Sequence, residues 1–113
     1  MTDDERKSLK QKTLAELDAL QERISALEFS VGQIPPDSEM DSATRREALD
    51  YKRRCEAEMR AAIARIPRLE ATVKRIEAPD YGICVDCDKP IALERLTESP
   101  DEFFCEECAA NLL

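Results

Sequence analysis

The sequence predicts a mainly α-helical protein: a long antiparallel coiled-coil hairpin followed by a small module organised by four cysteines. Three observations carry this. Apolar residues recur at alternating steps of three and four over two long stretches, the spacing of a helical seam rather than of a strand. A segment with one glycine and two prolines, Gly32 to Ser38, separates them. Two Cys-x-x-Cys pairs, Cys84/Cys87 and Cys105/Cys108, then follow with 17 residues between them.

The first helix is read from Leu17, Leu20, Ile24, Leu27 and Val31, with Leu14 widening the stripe by one position. Pro35 and Pro36 stop it and turn the chain. The second stripe runs Ala48, Lys52, Cys55, Met59, Ala62, Ile66, Leu69, Val73 and Ile76, polar at Lys52 and joined by Leu49. Helices linked by a short connection pack antiparallel. Residues 1–78 are therefore expected to form the hairpin, with its tip at 32–41, and residues 79–113 the cysteine module. At ~1.5 Å per residue such a hairpin would extend roughly 40–50 Å, a rod with a knob at its base. Folding about the prolines is expected to place Leu27 near Arg46 and Leu49, and Leu17 near Cys55. Leu69, Val73 and Ile76 are left to pack on the N-terminus and the cysteine module.

Pro67 interrupts the second pattern. It removes a backbone donor and crowds the preceding turn, so a kink or break is expected there, harmless if it lies off the contact stripe. Cys55 falls on the stripe and reads as a small core residue.

The turn holds three carboxylates, Asp37, Glu39 and Asp41, followed by Ala43. Asp37 or Ser38 is a natural N-cap for the second helix, and carboxylates in a first turn suit the helix dipole. Held at the end of a narrow rod, they could also enter a cavity closed to a globular domain. Beyond them Arg45, Arg46, Lys52, Arg53 and Arg54 alternate with Glu47, Asp50 and Glu56. They read as a solvated, ion-paired face or as a docking site for an acidic protein surface.

Two Cys-x-x-Cys pairs can surround one tetrahedral ion. The segment from Tyr81 to Cys108 is too short for a self-sufficient core, with Ile83, Val85, Ile91, Leu93, Leu96, Phe103 and Phe104 as its main apolar stock. A structural zinc, with a binding free energy on the order of 10 kcal/mol, would offset the ordering of this chain. Iron fits the same spacing, but nothing else points to electron transfer. A redox Cys-x-x-Cys belongs beside a βαβ pattern, which is absent. Met1 to Lys10 is charged, with no apolar signal core after it. No run approaches the ~20 apolar residues of a membrane span. A cytoplasmic location with reduced thiols is expected.

Composition bounds function. With 37% charged residues, 4% aromatic and two glycines in 113, the chain suits solvated helices better than a thick core. Residues 1–79 carry 15 basic and 16 acidic side chains, whereas residues 80–113 carry two basic and nine acidic. Nucleic-acid phosphates are repelled from such a module. With no histidine, no nucleophile–base pair is evident, and an enzyme is not expected.

The run Tyr81-Gly82-Ile83-Cys84-x-x-Cys87, then Ile91, Arg95-Leu96, Pro100 and Cys105-x-x-Cys108, resembles the finger of the DksA/TraR family of bacterial transcription factors. The hairpin with its acidic turn resembles the architecture of the longer, DksA-like members. That resemblance implies a regulator without direct sequence-specific DNA binding. It would bind RNA polymerase and pass its hairpin through the secondary channel to modulate initiation, often together with ppGpp in the stringent response. One structural zinc on Cys84, Cys87, Cys105 and Cys108 is implied. The family tip is commonly Asp-x-x-Asp-x-Ala; here Asp41-x-Ala43 fits the second half, while Ser38 occupies the first aspartate position. Asp41 is then the expected effector, supported by Asp37 and Glu39, with Arg45, Arg46, Arg53 and Arg54 as docking residues. Basic finger positions of alarmone-responsive members read Ser99 and Ala109, leaving Arg68 on the helix, which argues against a ppGpp response. A monomer is expected; the alternative is a coiled-coil adaptor whose stripes pair between chains.

Overall fold

A computed structural model describes residues Met1–Leu112, with the side chain of Asp37 and all of Leu113 outside the described part. The helices are α1 (Asp3–Gly32), α2 (Ser42–Arg75), α3 (Leu93–Glu98) and α4 (Glu106–Asn111), with a single 3-10 turn at Asp37–Glu39. Among the described residues, extended pairing is confined to one antiparallel bridge, Ile83 with Pro90.

Thr2 and Glu5 start α1 with a reciprocal capping box. The Thr2 backbone N–H donates to Glu5 Oε1 at 2.8 Å, and the Glu5 N–H donates to Thr2 Oγ1 at 3.1 Å. Asp3, Asp4 and Glu5 in this first turn also suit the positive end of the helix dipole. At the far end the Gln33 N–H still reaches the Phe29 carbonyl at 3.1 Å, after which the two prolines prevent continuation.

The contacts divide the chain into two compact units, Asp18–Ile66 and Met1–Leu17 with Pro67–Leu113. In the first, α1 and α2 run antiparallel around buried Leu27, Cys55 and Ala62. Leu20, Ile24, Val31, Met59 and Ile66 are half-buried, so the apolar stripes read from the sequence face inward. The register differs from the expected one. The Arg23 guanidinium grips Glu58 at 2.8 and 3.1 Å, whereas the expected pairing of Leu17 with Cys55 would have set it level with Leu49. Cys55 thus comes level with Leu27 rather than Leu17. The cause is the connection: α1 ends at Gly32 while α2 begins at Ser42, and residues 42–47 stand past the end of α1, all exposed.

In the second unit Leu9, Leu69 and Ile76 are buried together with two threonines, Thr13 and Thr72, which are fully buried. Each threonine hydroxyl donates to the carbonyl one turn back, Leu9 at 2.7 Å and Arg68 at 2.8 Å, so neither hydroxyl is stranded. Leu14, expected on the stripe, is exposed; Thr13 takes the inward place. Helix α2 runs unbroken through Pro67. The ring is exposed and off the buried stripe, and Ile63, whose carbonyl loses its donor, is exposed as well. No helix is long and apolar enough to cross a membrane among the described residues.

Candidate metal centre

The finger begins where α2 ends. Arg6 of α1 donates through Nη1 to the carbonyls of Ile76 and Ala78 at 2.5 and 2.8 Å, satisfying acceptors the helix leaves open. Lys10 pairs with Glu77 at 2.6 Å, and Lys12 donates to the Thr97 carbonyl. Sequence reasoning missed these three cations, because charge in a terminal helix ordinarily signals solvent.

The first Cys-x-x-Cys sits on a tight loop. Gly82 adopts φ +85° and Asp88 φ +61°. The Ile91 N–H donates to the Gly82 carbonyl at 2.7 Å, the Cys84 N–H to Lys89 at 2.8 Å, and the Asp88 N–H to Cys84 at 3.0 Å. The second pair opens α4, where the Cys105 sulfur caps the helix by accepting the Cys108 N–H at 3.4 Å. Arg95 holds this second loop against α3, donating through Nε to the Phe104 carbonyl at 2.9 Å and pairing with Glu102 at 3.3 Å. Leu96 is fully buried, and Tyr81, itself buried, donates its hydroxyl to the Pro100 carbonyl at 2.9 Å. The Arg95-Leu96 and Pro100 positions singled out in the sequence are therefore the clasp and core of the finger.

These loops gather Cys84, Cys87, Cys105 and Cys108, with all four sulfurs within 4.8 Å of one another. Cys87 and Cys105 sulfurs lie 3.7 Å apart. A tetrahedral zinc with Zn–S of about 2.3 Å requires sulfur–sulfur edges of about 3.8 Å. The set fits that ion, and the spacing is far too long for a disulfide. Burial pushes the Cys84 thiol up, but backbone N–H groups of Cys105, Cys87 and Asp86 outweigh it and bring the group down to about 6. Cys108 is driven up instead, chiefly by the neighbouring Cys105 sulfur. Four anionic sulfurs cannot share this volume unaided, and a divalent cation removes the conflict. The four cysteines form a C4 zinc site with a structural role, for all four protein ligands close the coordination sphere. Cys55, buried in the other unit, takes no part.

The remaining candidates lie in the Asp18–Ile66 unit. Asp41, not Asp37 or Ser38, caps α2: its carboxylate accepts the Thr44 N–H at 2.7 Å. The 3-10 turn at Asp37–Glu39 uses up the residues expected to start the helix. That hydrogen bond holds the Asp41 carboxyl below its usual range. Ser38, Glu39, Asp41 and Ala43 are exposed, as are Arg45, Arg46, Arg53 and Arg54. The Asp37 side chain lies outside the described part.

Residues 79–111 match the family described as the prokaryotic dksA/traR C4-type zinc finger. Over 99% of its length the chain also matches the structure of transcription factor DksA2 from Pseudomonas aeruginosa, covering 85% of that chain, with TM-score 0.80 and 19% sequence identity. No curated protein matches significantly.

Proposed function

Since the chain is DksA-like, with a DksA/TraR C4-type finger and a DksA fold, we propose that it is a non-enzymatic transcription regulator that binds RNA polymerase. In this reading the connection between α1 and α2 enters the secondary channel and delivers carboxylate charge near the catalytic centre. Asp41 is the principal effector, supported by Asp37 and Glu39, with Ala43 completing the tip. Arg45, Arg46, Arg53 and Arg54 dock on acidic polymerase surface, and the protein acts in the cytoplasm as a monomer. One observation carries the proposal: Asp41 is exposed and held ionised by the helix it caps, so its charge is fixed in place before any partner is met. The finger serves as scaffold, and its excess of nine acidic over two basic side chains in residues 80–113 disfavours DNA. With Ser99 and Ala109 in the finger, the proposed action does not depend on ppGpp.

A photoreactive group placed at exposed Ser38 tests insertion directly. Crosslinks to channel-lining or active-site segments of purified RNA polymerase are expected. Crosslinks confined to the outer surface, or none at saturating protein, would sink the proposal.

A further inference from the structure

Much of the finger's apolar stock does not face its core. Ile91 and Leu96 are buried, whereas Ile83, Val85 and Phe103 are exposed, Val85 to 62% and Phe103 to 47%. The three share one groove of about 430 Å³, with Asp80 and Asp88 also lining it. The Val85 N–H donates to the Phe103 carbonyl at 3.0 Å, which ties the two walls together. The lining cation, Arg75, lies 4.0 Å over the Phe103 ring and 5.7 Å from Tyr81, so its charge is turned onto aromatic faces. Asp80 and Asp88, both exposed, line the groove with it.

We infer that this groove is a docking site for a cationic peptide segment bearing an aliphatic side chain, presented by a partner protein. The aliphatic group would cover Val85, Ile83 and the exposed part of Phe103, removing apolar surface that the finger leaves in water. The rim fixes the sign of the occupant. Two aspartates, Asp80 and Asp88, line the patch, and the whole of residues 80–113 holds nine acidic against two basic side chains. Lysine or arginine is therefore attracted, while nucleic acid, anionic membrane and acidic peptides are repelled. Asp88 allows the charge to be tested cleanly, because its backbone lies at φ +61°. Asparagine or glycine suits that conformation at least as well, so its charge can be removed without harming the loop. This inference is independent of the proposed action of the α1–α2 connection.

The test is a titration of the isotope-labelled, zinc-loaded full chain, followed by amide NMR, with the peptide Lys-Leu-Lys-Leu-Lys. Saturable binding is expected, with shifts confined to Ile83, Val85, Asp88, Phe103 and their neighbours. Val85→Ser should weaken it by about tenfold and Asp88→Asn by about two- to fivefold, both variants retaining zinc and thermal stability. A Lys-Ser-Lys-Ser-Lys peptide binding equally well would reduce the effect to diffuse charge attraction and overturn the inference. So would equal binding to both variants, the absence of saturation, or shifts elsewhere. Self-association of the free chain through the same amides would assign the groove to a second copy instead.

Discussion

The Asp41 carboxylate accepts the Thr44 backbone N–H at 2.7 Å, so the proposed effector residue is also the N-cap of α2. Charge and capping can be separated, because asparagine caps about as well as aspartate whereas alanine does not. Asp41→Asn should leave the melting curve, circular dichroism and polymerase affinity unchanged while altering transcription from responsive promoters. Asp41→Ala should alter transcription and also lower helicity. An Asn variant that regulates like the parent would remove the effector role from Asp41.

Acid should act on the carboxylates that the fold has used. Asp41 is lowered by the Thr44 N–H, Glu58 by the Arg23 hydrogen bond and Glu77 by the Lys10 hydrogen bond. A depressed folded-state value means that stabilisation is complete above the unfolded carboxyl range, about pH 4. It is lost as pH falls through the lower folded values. All three sites are exposed, so the loss should be shallow and weaker still at high salt. With zinc bound, melting temperature should stay level from pH 7 to about 5 and fall below about 4. A decline in the upper window without zinc release would contradict this assignment.

Two glycines should respond in opposite ways to alanine. Gly82 lies at φ +85°, and an added Cβ would come within 2.9 Å of the Met1 terminal methyl and 3.5 Å of a Leu96 methyl. Gly82→Ala should cost about 1–2 kcal/mol from backbone conformation alone, for the methionine end can move aside. At Gly32 a Cβ meets nothing within 4 Å, and α1 includes the residue. Gly32→Ala should be neutral or stabilising by up to about 1 kcal/mol. Urea unfolding of both variants decides, and equal destabilisation would discount the conformational argument.

That contrast shows where sequence reading reached and where it stopped. Steps of three and four identify the inward faces, and Leu27, Cys55, Ala62, Leu69 and Ile76 are buried as expected. A periodic stripe fixes rotation about the helix axis but not axial stagger. Hence Arg23 meets Glu58 and Leu17 is not level with Cys55, a shift set by backbone in the nine-residue connection. Several residues in that connection can cap a helix, and only the 3-10 turn selects Asp41. Thr13 was hidden for another reason: a hydroxyl looks polar in sequence, yet bonding to the Leu9 carbonyl lets it pack as a core residue. The metal ligands were fully legible because zinc chemistry demands residue type and spacing at once.

Buried contacts around the finger should be costly to cut. Tyr81→Phe leaves the Pro100 carbonyl without its buried donor and should cost about 1–3 kcal/mol. Leu69 is fully buried, so Leu69→Ala should cost about 2–5 kcal/mol. Val85→Ser, at an exposed site, should fall within about 0.5 kcal/mol of the parent. Chemical denaturation in zinc-containing buffer orders the three, and a Val85 effect as large as that of Leu69 would reverse the placement of these side chains.

Zinc removal should unfold part of the chain rather than all of it. The core cluster around Leu9, Ile76, Tyr81, Ile91 and Leu96 includes the ligands Cys84 and Cys108, with Cys87 and Cys105 packed against it. Loss of the ion therefore takes away the centre of that packing and leaves strongly acidic loops to repel one another. The buried seam of Leu27, Cys55 and Ala62 belongs to the other compact unit and contains no metal ligand. One zinc per chain should be released on chelation. Hydrogen exchange at the amides of Cys84, Asp88 and Ile91 should then accelerate by about a hundredfold or more, given the size of structural zinc binding energies. Amides of residues 24–31 and 55–62 should change little, and re-added zinc should restore the rest. Cobalt in its place should give the absorption of a tetrahedral thiolate complex. Continued protection of the finger amides after complete chelation would show that the metal does not hold this module together.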